Sequence, residues 1–347
     1  MEKNLWIRSV VVFFVTFAMS LILSFGNDVL AGGKVKLIYA DQAMETQMVH
    51  KLGLMFLEKV EASSDNIVFK KRMGGVLGDY MVIAEQTSMG AVDISMIWSP
   101  SDLDPRLDIG WLGWLVKNVE EAKLLLGPNK PMFKIFEELY ADAGMKLLMV
   151  GCDGMSGIHV RKGANLMDKL NHFPQDGNGI KARIPSSKLY EVRAKNLGFA
   201  PTAIPYSEVY TGLQLGTFDI RFCTEPSELM MFGDVLEGWV GINELSCLSF
   251  LVMNLKRWNG LSEQDKAVIQ KAADEVALFN WDYIPEYTKE WENKAKEKYN
   301  LQIKYLPDSE LENLQKIAEE KEWPVAETLF GKELMQKIYQ ARKDAGL

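Results

Sequence analysis

The sequence predicts an α/β fold built from two similar lobes. Two distant stretches share the pattern Gly-x-x-Asp-Ile, one starting at Gly90 and the other at Gly216. Each glycine follows a segment with helical spacing and precedes a short run rich in β-formers, the order helix, cap, strand of a βαβ crossover. The length of 347 residues is enough for two hydrophobic cores. Because any α/β protein contains several such joints, the repeat is compatible with two lobes without requiring them.

Composition narrows the class of protein. The chain is 48% hydrophobic and 25% charged, an ordinary globular composition. Its net charge of −8 argues against a basic surface that binds phosphate or nucleic acid. We therefore expect no nucleic-acid partner.

The N-terminus has the three parts of a secretory signal peptide, which we assign to residues 1–31. Lys3 and Arg8 precede an apolar run over residues 10–25, and Ala31 then offers a small-residue cleavage site. An uncleaved anchor is the alternative, but the apolar run is shorter than the roughly 20 residues of a spanning helix. We expect cleavage and export.

The chain has three cysteines, Cys152, Cys223 and Cys247, and none forms a CxxC pair. Their odd number leaves the disulfide state open. An exported protein can pair two of them, and the alternative is three buried small hydrophobic residues.

Familiar catalytic motifs are missing from the chain. Its three histidines, His50, His159 and His172, do not form a zinc-protease helix motif. Ser156 lies in GMSGI, where Ile158 takes the place of the glycine that a nucleophile elbow needs. We expect no catalytic residues. Two classes stay open at this point: a binding protein that closes on a solute, and an exported enzyme of another type.

Arg183 is the main candidate for a binding residue. The stretch GIKARIPSS predicts a short strand that ends before Pro185 and a helix capped by serine. An arginine at the C-terminal end of such a strand faces the crevice where open α/β sheets bind ligands. Its planar fork suits a carboxylate. The alternative is an ion pair between Arg183 and a surface acid.

The run KARIPSSKLYEVRAKNLGFAPTAIPYSEVYTGLQLGTFDI resembles the core signature of the TRAP-transporter solute-binding proteins, the DctP-type family. It holds the family's Lys-x-Arg strand, Leu-Gly turn, Pro-x-Ser-Glu-x-Tyr helix start and Leu-Gln-x-Gly-x-x-Asp phrase in order. The stretches GGVLGDYMVIAEQTSMGAVDISM and LVMNLKRWNGLSEQDKAVIQKAADE are also similar to family segments. The resemblance extends from about Lys34 to the C-terminus.

This resemblance implies a periplasmic-binding-protein-like fold, with two α/β lobes joined by crossing strands and a long hinge helix. Lobe I would hold residues 32–153 and about 251–290, and lobe II residues 154–250 and about 291–347, which include the C-terminal helices. Arg183 would pair with the carboxylate of a small organic acid bound in the cleft. The receptor would work in the periplasm and deliver the acid to the TRAP membrane permease subunits. The alternative is a periplasmic enzyme with the same fold.

The chain departs from the family pattern near the expected ligand. Ser156 stands where many members have a second arginine, and IRFCTEP follows Asp219 where members often read Gly-Gln-Glu-Asn-Pro, which shifts Glu225 and Pro226 by two positions. Since a second buried carboxylate would then lack a partner, we expect monocarboxylates to bind better than C4-dicarboxylates. The alternative is that another cation, such as Lys188, Arg161 or a bound metal ion, replaces the lost arginine and removes the reason for this preference.

The remaining candidates each have two interpretations. Trp98 would stack on the ligand or pack in the core, and Tyr206 would cover the ligand or hold its own helix. Glu225 and Glu244 would accept from a ligand hydroxyl or amine, hold a ligand-bridging cation, or lie in solvent. We expect no cofactor and leave a bridging cation open.

Overall fold

A computed structural model describes residues 33–347, and the predicted signal peptide lies outside the described residues. Lys36–Leu347 form one compact unit. Within the described part, no helix is both long enough and apolar enough to cross a bilayer.

The element order alternates strands and helices, as the sequence predicts. The strands are β1 (Val35–Asp41), β2 (Ile67–Arg72), β3 (Ile94–Ile97), β4 (Met145–Arg161), β5 (Lys181–Ile184), β6 (Ala200–Ala203), β7 (Ile220–Arg221), β8 (Leu236–Asn254) and β9 (Gln302–Tyr305). The helices are α1 (Met48–Ser63), α2 (Tyr80–Met89), α3 (Val119–Leu126), α4 (Pro131–Asp142), α5 (Lys188–Asn196), α6 (Val209–Leu215), α7 (Glu228–Met231), α8 (Leu255–Asn259), α9 (Glu263–Tyr299), α10 (Asp308–Ile317), α11 (Trp323–Phe330) and α12 (Lys332–Asp344). A 3₁₀ segment covers Pro105–Trp111, and a π-helical turn covers Ala318–Glu322.

Two long antiparallel strands organise the sheet, whose order is β2-β1-β3-β8-β4-β7-β5-β6 with β9 on β8. The C-terminal part of β8 pairs with β3 and with the start of β4, while its N-terminal part pairs with β9 and the end of β4. The register between β4 and β8 shifts at Cys152/Met155 and again at Met155/Gly157. The 17-residue β4 and the 19-residue β8 thus belong to both halves of the sheet.

The two repeated phrases take equivalent places in the two halves. Gly90 ends α2 with a φ of 84°, and Gly216 ends α6 with a φ of 70°. Both values lie in the left-handed region that favours glycine. β3 follows the first phrase and β7 the second, each as the parallel neighbour of an earlier strand. The predicted order helix, cap, strand is confirmed in each half.

The aspartate of each phrase ties its strand to that neighbour. The Asp93 carboxylate accepts from the backbone N–H of Ile38 on β1 at 2.7 Å, and the Asp93 N–H donates to the Ile38 carbonyl at 3.0 Å. The Asp219 carboxylate accepts from the Lys181 N–H on β5 at 3.4 Å, and its own N–H donates to the Lys181 carbonyl at 2.9 Å. The repeated Asp-Ile therefore marks the same joint twice.

The longest helix of the described chain is the 37-residue α9, with Pro285 inside it. Ser262 caps it by accepting from the Asp265 N–H at 3.1 Å. The Asn280 side chain accepts from the Cys152 N–H at 2.7 Å and donates to the Cys152 carbonyl at 2.8 Å. These bonds hold the helix against β4 at the point where its register shifts. All three cysteines are unpaired.

Candidate functional site

Two buried arginines lie side by side at the ends of β5 and β7. Arg183 and Arg221 are partners in the parallel register of these strands. Neighbouring strands lie about 4.8 Å apart and register partners share a face of the sheet, so both side chains project to the same side. Arg183 is 3% exposed and Arg221 is fully buried.

Arg183 is held at one nitrogen and free at the others. Its Nε donates to the Ile204 carbonyl at 2.9 Å. Its two terminal nitrogens have no hydrogen-bond partner among residues 33–347, and the predicted alternative, an ion pair with a surface acid, is absent from this part of the chain. Burial, and then the charge of Arg221, lower its pKa to about 10. The guanidinium therefore stays charged at neutral pH and presents a fork that suits a carboxylate.

Arg221, which the sequence reasoning missed, is partly neutralised. Its Nη2 donates to the Glu228 carboxylate at 3.0 and 3.2 Å and to the Cys223 carbonyl at 2.7 Å. Its Nε and Nη1 are buried without a partner. The guanidinium carbon lies 5.0 Å from the Phe232 ring centre and 5.6 Å from that of Tyr206.

Tyr206 lies beside this ion pair. Its hydroxyl donates to Glu228 at 2.7 Å, and burial raises its pKa above the usual range. Its ring meets Phe232 edge-on at 6.2 Å. Tyr206 thus contacts Arg221 and its partner Glu228, and its contact with a ligand stays a prediction.

Glu225 connects two distant segments. Its Oε1 accepts from Gln47, just before α1, at 3.0 Å and from Ser227 at 2.6 Å. Its Oε2 is buried without a partner. Burial, then the charges of Asp153 and Glu228, raise its pKa well above the usual range. The raised pKa favours the neutral carboxyl, whose unpartnered oxygen can form a hydrogen bond with a ligand hydroxyl or amine.

Trp98 follows β3 and is also hydrogen-bonded. Its indole N–H donates to Asp153 at 2.9 Å, and Tyr80 meets its ring edge-on at 5.6 Å. Asp153 also accepts from Ser249 at 3.0 Å, and burial raises its pKa to about 7. Asp153 therefore links the Trp98 indole to Ser249 on β8.

Ser156 and Glu244 belong to an internal network. The Ser156 hydroxyl donates to Glu244 at 2.8 Å and accepts from the Thr224 N–H at 3.1 Å. Glu244 also accepts from the Cys223 N–H at 3.1 Å and from Arg193 at 3.2 Å. Both side chains are fully buried. Since these atoms already have protein partners, the geometry favours a structural role for both residues. Direct contact of either residue with a ligand stays a prediction.

The structure therefore places Arg183 beside Arg221 and joins Arg221, Tyr206 and Glu225 through hydrogen bonds to Glu228. Trp98 is bonded to Asp153 instead, and Ser156 is bonded to Glu244. Within residues 33–347, no three His, Cys, Asp or Glu side chains are grouped in a way that would hold a metal ion. A ligand-bridging cation stays an untested expectation.

The chain is similar to known solute receptors. The family model described as "Bacterial extracellular solute-binding protein, family 7" matches residues 39–323. The ectoine-binding periplasmic protein TeaA of Halomonas elongata is 27% identical over 272 residues, which cover 75% of this chain and 74% of that protein. The C4-dicarboxylate-binding periplasmic protein DctP of Rhodobacter capsulatus is 29% identical over 242 residues, which cover 61% of this chain and 69% of that protein.

Solved structures share the architecture. The TeaA structure from H. elongata matches with a TM-score of 0.80 and 22% identity, and covers 90% of this chain and 99% of that one. DctP7 of Bordetella pertussis, a receptor for pyroglutamic acid, matches with a TM-score of 0.74 and 17% identity over 89% of this chain and 99% of that one. At these identities the structures establish the periplasmic-receptor fold with two lobes.

The family match covers most of the chain, and members of this family are receptors rather than enzymes. The enzyme alternative is therefore set aside. The chain belongs to family 7 of the bacterial extracellular solute-binding proteins, the solute receptors of TRAP transporters.

Proposed function

We propose that this receptor binds a small organic acid through a carboxylate pair with Arg183 and hands the acid to a TRAP membrane permease. One observation carries the proposal. Arg183 is a buried, charged guanidinium whose terminal nitrogens lack a partner among the described residues. A buried charge without a partner is strongly unfavourable, so the site is suited to an incoming anion.

Similar proteins support the ligand class. Their names record binding of pyroglutamic acid, orotic acid, D-glucuronate and C4-dicarboxylates, and the TeaA protein is named for ectoine. Most of these solutes are carboxylic acids of small size. An organic acid is the class that they share with the chemistry of Arg183.

The charge of the site favours a monocarboxylate. Glu228 offsets the charge of Arg221, whereas Arg183 has no carboxylate partner in the described part of the chain. Glu225 adds an unpartnered carboxyl oxygen nearby. One positive charge therefore remains for the ligand, and a second carboxylate would enter unpaired.

Export by cleavage after residue 31 would place the receptor in the periplasm.

Replacing Arg183 by lysine tests the pair. The charge is kept, but the planar fork is lost. Because a hydrogen bond to a charged group contributes about 1.5–3 kcal/mol, affinity for the bound acid should fall about tenfold or more. A thermal-shift screen of organic acids would identify the ligand, and calorimetry would measure the change.

Arg161→Lys is the matched control, because Arg161 is paired with Asp219 at 3.2 Å and lacks the free fork. Its affinity should stay within about twofold of the parent, a range that corresponds to a few tenths of a kcal/mol. Equal affinity of the parent and a folded Arg183→Lys protein would refute the carboxylate pair. Uptake of the acid into vesicles that contain the cognate permease, measured with and without the receptor, would test the transfer step.

A further inference from the structure

Three neighbouring strands carry a row of buried polar side chains. Arg183 on β5 pairs in register with Arg221 on β7, which in turn pairs with His159 on β4. Register partners project to one face of a sheet, so the three side chains are contiguous. His159 is fully buried, and both its ring nitrogens lack a partner. Burial and the charge of Arg221 lower its pKa well below the usual range, so the ring is neutral at pH 7.

This row contains more donors than the described chain satisfies. Arg221 has five N–H groups, and its bonds to Glu228 and to the Cys223 carbonyl are all made from Nη2. The N–H groups on Nε and Nη1 remain buried without an acceptor. Native proteins hydrogen-bond nearly all buried polar groups, so these two donors are available to an acceptor that a ligand would bring.

The charge balance defines that acceptor. Arg221 and Glu228 are each almost fully buried and form a close pair, so the pair as a whole is neutral. Arg183, next in the row, has the free positive charge. An acceptor at Arg221 therefore needs lone pairs but no charge of its own, because a second anion would enter a site without a compensating cation.

We propose that Arg221 is a specificity-determining residue, whose Nε and Nη1 donate to an uncharged oxygen of the ligand close to the carboxylate that Arg183 binds. The inference rests on the proposed function and specifies its ligand class. That class is a monocarboxylic acid with a hydroxyl, oxo or ring oxygen on the carbon next to the carboxylate. Since adjacent strands lie about 4.8 Å apart, one small acid can contact both guanidinium groups. Phe232 and Tyr206 fix the orientation of Arg221 by packing on it.

Matched pairs of acids test the class by calorimetry. Each pair has the same shape with and without the oxygen: lactate and isobutyrate, 2-hydroxyvalerate and 2-methylvalerate, and tetrahydropyran-2-carboxylate and cyclohexanecarboxylate. In the parent protein, the oxygen-bearing member of at least one pair should bind about tenfold tighter, the factor typical of a hydrogen bond from a charged donor.

Two variants separate ligand contact from structural support. Arg221→Gln combined with Glu228→Gln removes the ion pair without leaving a buried charge, and should reduce the preference for oxygen to about twofold or less while Arg183 still binds the carboxylate. Glu228→Gln alone leaves Arg221 uncompensated, and should improve succinate binding about tenfold or more. Succinate binding in Glu228→Gln reports the freed charge of Arg221, whereas the preference for oxygen in the double variant reports its hydrogen bonds to the ligand. Arg161→Gln is the control for loss of a paired arginine on a neighbouring strand.

The outcomes are distinguishable. If an acid binds in an Arg183-dependent manner but the double variant keeps the preference for oxygen, or no pair shows one, Arg221 contacts only protein and water and the inference is wrong. Unchanged succinate affinity in Glu228→Gln also contradicts it. If no carboxylic acid in the screen or the pairs binds the parent protein, both this inference and the proposed function fail.

Discussion

Arg193 on α5 is a fully buried arginine between two buried carboxylates. Its Nε and Nη2 donate to Glu322 at 3.0 and 2.8 Å, and its Nη1 donates to Glu244 at 3.2 Å. It also donates to the Trp111 carbonyl, and its guanidinium stacks 4.4 Å from the Tyr190 ring centre. The burial that lowers its pKa is outweighed by the two carboxylates, so its pKa lies well above the usual range. Arg193→Met keeps the apolar stem and removes every one of these bonds.

The loss of stability follows from the buried carboxylates that Arg193→Met leaves without a cationic partner. Breaking a buried ion pair by removing one partner costs about 3–5 kcal/mol. Arg193 has two carboxylate partners, but one can be neutralised by taking up a proton, so we use the cost of a single pair. Unfolding entropy is about 2.1 cal/mol/K per residue, or roughly 0.66 kcal/mol/K for residues 33–347. The melting temperature should therefore fall by about 5 to 8 °C.

The pH dependence separates charge from packing. Burial already raises the pKa of Glu244, and Arg193 opposes that rise. Without Arg193 the folded-state pKa rises further above the unfolded value. In the variant, the protonated Glu244 then contributes fully to the free energy of unfolding at low pH. This contribution is lost as the pH rises through the folded-state pKa. The difference in melting temperature between parent and variant should shrink as the pH is lowered towards 5.

Calorimetric melts from pH 5 to pH 8 would measure this difference. Arg161→Met is the control, since its pair with Asp219 is partly exposed, and exposed pairs contribute about 0–1 kcal/mol. A loss for Arg193→Met that does not vary with pH would show that packing on Tyr190, rather than the unpaired carboxylates, sets the cost. A loss no larger than that of the control would refute the reasoning altogether.

Two further expectations concern Asp153 and the N-terminus. Burial raises the folded-state pKa of Asp153 to about 7, above an unfolded value of roughly 4, so its contribution to stability is full below about pH 4 and is lost as the pH rises through about 7. Asp153→Asn, which can still accept from Trp98, should remove this decline in denaturation measurements at pH 4.5 and 8, and an unchanged difference between these two conditions would contradict it. Mass spectrometry of the exported protein should give a chain that begins at or near Gly32, whereas an intact Met1 would support a membrane anchor.

The parts of the fold that the sequence predicts well are determined by residues close together in the chain. The glycine caps at Gly90 and Gly216 and the strand that holds Arg183 each depend on residues a few positions apart. Such features are set by backbone conformation and by hydrogen bonds within one turn. A short window of sequence contains all the information that they need.

The support of the site depends instead on contacts between distant residues. Ser156 and Glu244 are 88 positions apart and meet because β4 and β8 pair along both halves of the sheet. From the sequence alone, Ser156 is interpreted as a serine in the place of a family arginine. Glu244 is interpreted as an acid that contacts the ligand, holds a cation or lies in solvent. Their burial against Arg193 follows only from the register of two long strands with several shifts, which no periodicity in either strand reveals.

The repeated phrase explains why Arg221 escaped the sequence reasoning and why its free donors matter. Two residues after the aspartate, the first phrase has Ser95 and the second has Arg221. Ser95 is fully buried and accepts from Thr87 of the preceding helix at 2.9 Å. The position that corresponds to Thr87 in the second phrase is Leu213, which has no side-chain acceptor. The preceding helix therefore supplies a partner for the polar residue in one half of the sheet. In the other half, Glu228 and the Cys223 carbonyl bind only one nitrogen of Arg221, and the two nitrogens left without a partner are those from which we propose that the ligand accepts.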